Sequence, residues 1–281
     1  MKYILLTGVS TGIGNAILVE LIKRGYFVFG AVRTKKDANK VETQLNSELF
    51  FPIIVDVSDK KTIAASQLVV KKKLGTNKLY ALINNAGVVT AGPFMHQTIA
   101  DYRKVFDVNF FGVLKMMQTY IPLMEGKDSK DPSMVLNISS VLGHYGVPYL
   151  STYCASKHAL EGFSDSVRRE LENVNIRLVL CIPGATKTKI FEKGDSADYK
   201  HVTKTDYIET GVKLKEWMGK IGEKGIDSEK VASKVAYILQ KKNPRARYSV
   251  MGWQNRMIEW IFPRYLPDWA LDLVFRIVLR P

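Results

Sequence analysis

Short apolar runs alternate with segments of helical periodicity along most of the 281-residue chain. Strands that are apolar along their whole length and separated by helices are typical of a parallel sheet covered on both faces. The sequence therefore predicts an α/β fold, a doubly wound parallel sheet of the Rossmann type, with ligands at the carboxyl ends of the strands. The predicted strands are 3–7, 26–32, 50–55, 79–84, 134–138, 176–182 and 248–251, and the predicted helices are 13–24, 60–74, 99–124, 152–172 and 228–239.

Two segments depart from this alternation. Residues 187–226 are basic and glycine-spaced and follow a strand end, where a flap over the substrate is expected. Residues 253–281 hold three of the four tryptophans, and Pro263 and Pro267 are expected to split them into two short helices. We expect a single catalytic domain at 1–252, flap included, followed by a helical, apolar C-terminal extension at 253–281.

The C-terminal extension has two interpretations. Its helices either fold over the substrate mouth or pack between the subunits of a homo-oligomer, a dimer or tetramer, or they attach peripherally to a membrane. Apolar faces flanked by arginines suit the interface of an anionic bilayer, and Arg256, Arg264, Arg276 and Arg280 supply such flanks. No apolar run is long enough to span a bilayer.

Composition narrows the classes of function. A formal net charge of +14 suits a nucleic acid, an anionic membrane or an anionic cofactor. The basic residues are scattered without a nucleic-acid-reading motif, so we expect no nucleic-acid partner. The two cysteines, Cys154 and Cys181, lack disulfide or metal spacing, and the N-terminus resembles no signal peptide. We expect a cytoplasmic protein without a metal.

A glycine-rich turn follows the first predicted strand and opens the first helix. Its sequence is Thr7-Gly8-Val9-Ser10-Thr11-Gly12-Ile13-Gly14. Gly8 permits a sharp turn, Gly12 lets backbone N–H groups approach a pyrophosphate, and Gly14 permits close helix packing. With the positive end of a helix beside it, this turn predicts a dinucleotide site that includes Ser10, Thr11 and Ile13.

The end of the second strand distinguishes two dinucleotides. An NAD(H) site normally presents an acidic residue here for the ribose 2′-hydroxyl, whereas an arginine pairs with a 2′-phosphate. Arg33 stands at this position, and Ser10 can donate a hydrogen bond to the same phosphate. The sequence favours NADP(H), while the nearby Asp37 keeps NAD(H) as the alternative.

Over residues 1–188 the order of motifs resembles the short-chain dehydrogenase/reductase family. The stretch from Tyr153 to Gly162 is most similar to the steroid and retinol dehydrogenases of that family. The motifs are the glycine turn, Asp56-Val57, Asn84-Asn85-Ala86-Gly87, Asn109, Ser140, Tyr153-Cys154-Ala155-Ser156-Lys157 and Pro183-Gly184 followed by Thr188.

The resemblance implies a catalytic group of four residues. Tyr153 is the expected acid/base, and Lys157, on the same helix face, is expected to lower its pKa from about 10 and to bind the nicotinamide ribose. Ser140 is expected to hold the substrate oxygen, and Asn109 to support a water that connects Lys157 with solvent.

The resemblance also implies contacts along the cofactor. Asp56 and Val57 are expected at the adenine, and Asn85, Ala86 and Gly87 at the adjacent ribose. Pro183, Gly184 and Thr188 are expected at the nicotinamide end. Together these expectations describe an NADP(H)-dependent oxidoreductase that interconverts a hydroxyl and a carbonyl on a hydrophobic small molecule, such as a steroid or retinoid. The alternative is a non-catalytic dinucleotide sensor on the same fold, disfavoured because Tyr153 and Lys157 are both present.

Overall fold

One parallel sheet organises the protein. The computed structural model describes residues 1–124, 126, 131–187, 208–253 and 255–279. Over these residues seven strands are hydrogen-bonded in the order β3-β2-β1-β4-β5-β6-β7, with every pair parallel. The strands are β1 (Tyr3–Thr7), β2 (Phe27–Val32), β3 (Phe50–Ile54), β4 (Leu79–Asn84), β5 (Ser133–Ile138), β6 (Ile176–Pro183) and β7 (Arg247–Val250). The predicted doubly wound α/β sheet is confirmed.

The order of strands changes direction between β1 and β4, and this switch point is where open α/β sheets bind ligands. Helices connect the strands and cover both faces of the sheet. They are α1 (Gly12–Lys23), α2 (Lys35–Leu45), α3 (Lys60–Leu74), α4 (Ile99–Phe106), α5 (Gly112–Tyr120), α6 (Ser151–Glu172), α7 (Ile208–Glu223), α8 (Ser228–Leu239), α9 (Phe262–Tyr265) and α10 (Asp268–Leu279).

Alternating side chains on the strands divide the core between two faces. In β1, Ile4 and Leu6 pack in the cluster that contains α1 and α8, whereas Leu5 packs in the cluster that contains α3, α5 and α6. All three are fully buried. Because each face has its own apolar layer, the strands are apolar throughout, which explains their continuous hydrophobic runs.

Helix α2 is absent from the sequence-based prediction. Only Ala38 and Val41 are buried in its eleven residues, so its apolar stripe is too narrow to stand out from a polar segment. Its start is fixed locally, because the Thr34 side chain accepts a hydrogen bond from the backbone N–H of Asp37.

The predicted flap contains a helix. Helix α7 occupies 208–223, and the base of the segment is closed by two backbone hydrogen bonds, from Lys187 N–H to the Ile226 carbonyl and from Ile226 N–H to the Ala185 carbonyl. Residues 188–207 lie outside the described residues. The substrate-covering role remains a prediction.

The C-terminal extension forms two helical stretches, as predicted, but only one proline divides them. A π-helical segment, Met257–Ile261, continues directly into α9, so Pro263 lies inside a helical stretch, within its first α-helical turn. The break is at Leu266, whose backbone is extended before Pro267. The prediction that Pro263 also splits the segment is wrong, because proline is tolerated in the first turn of a helix.

Candidate active site

The turn between β1 and α1 is built around glycine. Its backbone is left-handed at Gly8 (φ +73°) and Gly12 (φ +60°), where other residues are strained. A Cβ atom on Gly14 would lie 2.1 Å from the Gly8 carbonyl oxygen. The start of α1 therefore packs directly on the turn, and its N–H groups face the edge of the sheet where β1 ends.

Asn85 and Thr7 tie this turn to the end of β4. The Asn85 side-chain amide donates to the carbonyl oxygens of Thr7 (2.9 Å) and Gly8 (3.2 Å). The Thr7 hydroxyl accepts the backbone N–H groups of Asn85 (2.9 Å) and Ala86 (3.0 Å). The Asn85 amide is thus used to hold the turn, and the predicted ribose contact of Asn85, Ala86 and Gly87 stays a prediction.

Arg33 lies exposed at the end of β2, on the wall of the same cavity as Ser10. The neighbouring Asp37 accepts a hydrogen bond from the Thr34 hydroxyl at 2.8 Å, so its carboxylate serves the capping of α2. The Arg33 guanidinium therefore lies at the end of β2, whereas the Asp37 carboxylate is engaged by Thr34 at the start of α2.

Asp56 lies across from Arg33 at the end of β3, beside Val57 on the cavity wall. Its Oδ1 accepts the hydroxyl (2.6 Å) and the backbone N–H (2.9 Å) of Ser58. Burial raises the pKa of this carboxyl. The Ser58 hydrogen bonds and the charges of Arg33 and Lys115 together lower it by more, so the pKa lies below its usual value.

Ser140, Tyr153 and Lys157 meet beyond the end of β5. Ser140 follows the strand and forms a hydrogen bond with the Tyr153 side chain. Lys157, one helical turn further along α6, places Nζ 5.7 Å from the centre of the Tyr153 ring. Tyr153 and Lys157 are both buried, and all three residues line the cavity that begins at the glycine turn.

The pKa of Tyr153 differs from the sequence-based expectation. Burial raises it to about 12, and the hydrogen bond with Ser140 lowers it only in part. Burial also lowers the pKa of Lys157, to about 8, and its Nζ donates to the Ile138 carbonyl at 2.9 Å. Tyr153 is therefore a neutral phenol at neutral pH.

A buried carboxylate lies one further turn along α6. Glu161 partly offsets the lowered pKa of Lys157, and its Oε2 accepts Nε of Arg247 at 3.0 Å. Arg247 also binds Asp165 through Nη2 at 2.7 Å. The negative charge near Lys157 is therefore fixed by an ion pair that joins α6 to β7.

Asn109 occupies a π-helical segment, Asp107–Phe111, between α4 and α5. Its Oδ1 accepts the Val88 N–H at 2.8 Å, while Nδ2 donates to the Val88 carbonyl at 2.9 Å and to Ser156 Oγ at 3.1 Å. Single π turns are frequent at functional sites. Asn109 thus fixes the loop after β4 against α6, and its support of a water remains a prediction.

A cavity of about 2600 Å³ extends from the glycine turn past Tyr153 to the end of β6. Pro183 and Gly184 line its far end, and Thr188 lies outside the described residues. Helix α7 and the C-terminal extension supply much of the remaining wall, including Leu214, Trp217, Phe262 and Phe275. The extension therefore covers part of the cavity.

The two histidines near the site have structural partners. His144 packs edge-on against Trp260, and burial lowers its pKa to about 4. The His158 ring forms a hydrogen bond with the Cys154 carbonyl at 2.8 Å. Among the residues that the structure describes, no cluster of histidine, cysteine or carboxylate side chains could hold a metal ion.

Three site residues are missing from the sequence-based prediction. Thr7 and Glu161 act through buried contacts that no local pattern reveals. Glu259 lies on the cavity wall and accepts the Ala185 N–H at 2.8 Å. A signal for Glu259 is present in the sequence, because it is the single acidic residue within the apolar run 257–262.

Comparison with known proteins is consistent with this geometry. A family model described as short chain dehydrogenase matches residues 2–198. An NADPH-dependent 3-dehydrocapnine reductase from Ornithobacterium rhinotracheale is 34% identical, covering 98% of this chain and 96% of that one. Retinol dehydrogenase 7 from Rattus norvegicus is 30% identical, covering 97% and 87%. A solved short-chain dehydrogenase from Streptomyces avermitilis superposes with a TM-score of 0.74 at 25% identity, covering 97% and 93%.

Proposed function

We propose that this chain, which belongs to the short-chain dehydrogenase/reductase family and is thus an oxidoreductase, reduces a carbonyl group with NADPH. The carbonyl group belongs to a hydrophobic small molecule. The resemblance seen in the sequence motifs is confirmed by the family match. The reverse reaction, oxidation of the alcohol with NADP⁺, uses the same residues.

One observation carries the proposal. Ser140, Tyr153 and Lys157 converge on the wall of a cavity that also contains the glycine turn. A proton donor and a dinucleotide turn in one cavity are the two parts that carbonyl reduction needs. The non-catalytic alternative gives no reason for burying a tyrosine and a lysine together at this place.

The residues present fit NADP(H). A Cβ atom on Gly14 would clash with the Gly8 carbonyl oxygen, so the first helix packs as closely on the turn as a dinucleotide-binding turn requires. We propose that Arg33 and Ser10 bind the 2′-phosphate, and that Asp56 and Val57 bind the adenine. The NADPH-dependent relative supports this choice of cofactor.

In the reductive direction, bound NADPH supplies a hydride to the carbonyl carbon. Tyr153 is protonated at neutral pH, because burial holds its pKa near 12, and it donates its proton to the carbonyl oxygen as negative charge develops there. Ser140 holds that oxygen by a hydrogen bond. Glu161 favours the charged form of Lys157, and the positive charge of Lys157 stabilises the phenolate that remains.

The substrate end of the cavity is mainly apolar. A cluster of buried side chains, among them Leu142, Val147 and Leu214, surrounds Tyr153, with Trp217 and Phe275 packed against it. Such walls select a hydrophobic substrate. The retinol dehydrogenase relative supports a lipid-soluble class, a steroid, a retinoid or another ketone or alcohol.

A substrate panel tests the proposal. Ketones, retinaldehydes and steroids are mixed with the full chain and NADPH, and loss of NADPH absorbance is followed. We expect turnover of at least one hydrophobic carbonyl compound, and its loss in Tyr153→Phe. NADPH binding without turnover of any member of a broad panel would favour the non-catalytic sensor.

The C-terminal extension has a second, outward face. Trp269, Leu273 and Ile277 lie four residues apart on α10 and are exposed, as are Trp253 and Tyr265. No helix in the described part of the chain is long and apolar enough to cross a membrane.

We propose that 253–281 forms an extension to a catalytic domain at 1–252. Its inner face covers the substrate, and its outer face attaches peripherally to an anionic membrane. Contact between subunits of a homo-oligomer is the alternative.

Co-sedimentation with anionic vesicles separates these roles. The full chain should pellet with phosphatidylserine vesicles at low salt, and Trp269→Ser/Leu273→Ser/Ile277→Ser should pellet less while remaining folded. Leu68→Ser is a matched control, because Leu68 is exposed on α3 away from the extension. Equal pelleting of all three proteins would contradict membrane attachment. A molecular mass that rises with protein concentration in the full chain, but not in the triple variant, would favour the subunit interface.

A further inference from the structure

Glu259 is a buried carboxylate in an apolar part of the protein. It lies in the π-helical segment Met257–Ile261 of the C-terminal extension, and it is 4% exposed. A carboxylate removed from water is costly unless hydrogen bonds or an opposite charge compensate it. Its position therefore requires partners for both of its oxygens.

Burial raises the pKa of Glu259 above its usual value, although hydrogen bonds from the Ala185 N–H and the Asn255 side chain lower it in part. Oε2 accepts the backbone N–H of Ala185 at 2.8 Å, just after β6. It sits so close to the chain that a Cβ atom on Gly184 would lie 2.1 Å from it. Oε1 is buried and, within the described part of the chain, has no hydrogen-bond partner.

The surroundings of Glu259 point to a ligand for Oε1. Glu259 lines the active-site cavity together with Tyr145 and Phe275. Its charge is close enough to Tyr145 to add to the effect of burial, which raises the pKa of that phenol. Glu259 thus places a carboxyl group beside the apolar cluster that surrounds Tyr153, just after the end of β6.

We propose that Glu259 is a substrate-binding residue whose Oε1 accepts a hydrogen bond from an N–H or O–H donor of the substrate, an amine above all. The inference rests on the proposed function in taking the ligand to be the carbonyl or alcohol substrate. An amine satisfies both needs of the site, because it supplies the missing donor and neutralises a buried charge. The substrate is then amphipathic, with an apolar body and a donor group near the carbonyl end.

A structural role alone would not need the charge or Oε1. The hydrogen bond that joins the extension to the Ala185 N–H uses Oε2, and the side-chain oxygen of a glutamine can accept the same bond. Glu259→Gln therefore keeps this hydrogen bond and removes the negative charge. Glu216→Gln is the matched control, because Glu216 is exposed on α7 and is absent from the cavity wall.

Calorimetry on the full chain with NADP⁺ tests the inference without turnover. The ligands are aliphatic ketones of equal chain length. Each carries one substituent, an amine, a hydroxyl or a methyl group, and the series varies the distance of that substituent from the carbonyl. We expect the parent protein to bind the best amine ketone at least about tenfold more tightly than its methyl analogue. Glu259→Gln should remove most of that preference and retain the hydroxyl preference, with unchanged NADPH affinity and unfolding temperature.

Two results would overturn the inference. One is the same amine-to-methyl ratio in Glu259→Gln and in the parent protein. The other is weakened NADPH binding in Glu259→Gln without a change in that ratio, which would make Glu259 a cofactor contact. Failure of the proposed function looks different, because NADPH oxidation would then be absent with every ketone while the binding preference and its loss in Glu259→Gln were still measured.

Discussion

Burial controls the acid/base chemistry at the scale of single residues. The sequence places Tyr153 and Lys157 on one face of a helix, and this geometry is found in the structure. It does not reveal that both side chains leave water, which raises the pKa of Tyr153 and lowers that of Lys157. Residue spacing predicts which groups meet, whereas the dielectric around them depends on the whole fold.

Lys157 should set the alkaline limit of carbonyl reduction. Its pKa is lowered to about 8, so the ammonium is present below that pH and is lost as the pH rises through it, while Tyr153 stays protonated up to about 12. We expect kcat/KM for reduction to fall above pH 8. In Lys157→Arg, whose guanidinium stays charged, that limb should move to higher pH even if the rate is lower. If the folded Lys157→Arg protein loses activity at the same alkaline pH as the parent protein, the titrating group is not Lys157.

Arg33 should determine the choice of cofactor. We expect NADPH to bind at least about tenfold more tightly than NADH, which corresponds to about 1.4 kcal/mol for one charge-assisted contact. Arg33→Asp should reverse this order in fluorescence titrations. Lys72→Asp makes the same change of charge at the far end of α3, away from the carboxyl ends of the strands, and should leave the ratio alone. Equal affinities in the parent protein would contradict the assignment.

At the scale of elements, most strands were predictable because they are buried on both faces, whereas the edge strand β7 buries only Val250. All seven lie within one or two residues of the predicted bounds. Helix α2 was missed because it buries only Ala38 and Val41. The long helix predicted at 99–124 is interrupted by a π-helical segment at Asn109. This interruption depends on contacts with Val88 and Ser156, which are distant in sequence and leave no local pattern.

The Asn109 contacts should stabilise the fold as well as the site. Asn109→Leu would remove both hydrogen bonds to the Val88 backbone and leave that part-buried N–H and carbonyl unpaired. We expect the free energy of unfolding in urea to fall by about 2–3 kcal/mol, together with turnover. Asn39→Leu, at an exposed position of α2, should change stability by less than about 0.5 kcal/mol. A similar loss in both variants would remove the special role of Asn109.

At the scale of the whole molecule, the active site is assembled from distant parts of the chain. The glycine turn comes from the first residues, the acid/base group from α6, and Glu259 from the C-terminal extension. Motifs in the sequence predicted the first two, because backbone geometry and catalytic chemistry restrict the residue types there. The extension carries no such motif, and its place on the cavity wall follows only from tertiary packing.

Transfer of deuterium from C4-deuterated NADPH to the carbinol carbon of the product, measured in a single turnover, tests the central claim most directly. We expect the label in the product of the parent protein. Tyr153→Phe keeps the packing of the ring and removes the proton donor, so the rate should fall by about a hundredfold or more while NADPH affinity is retained. An unlabelled product, or an equal rate of transfer in Tyr153→Phe, would contradict the account.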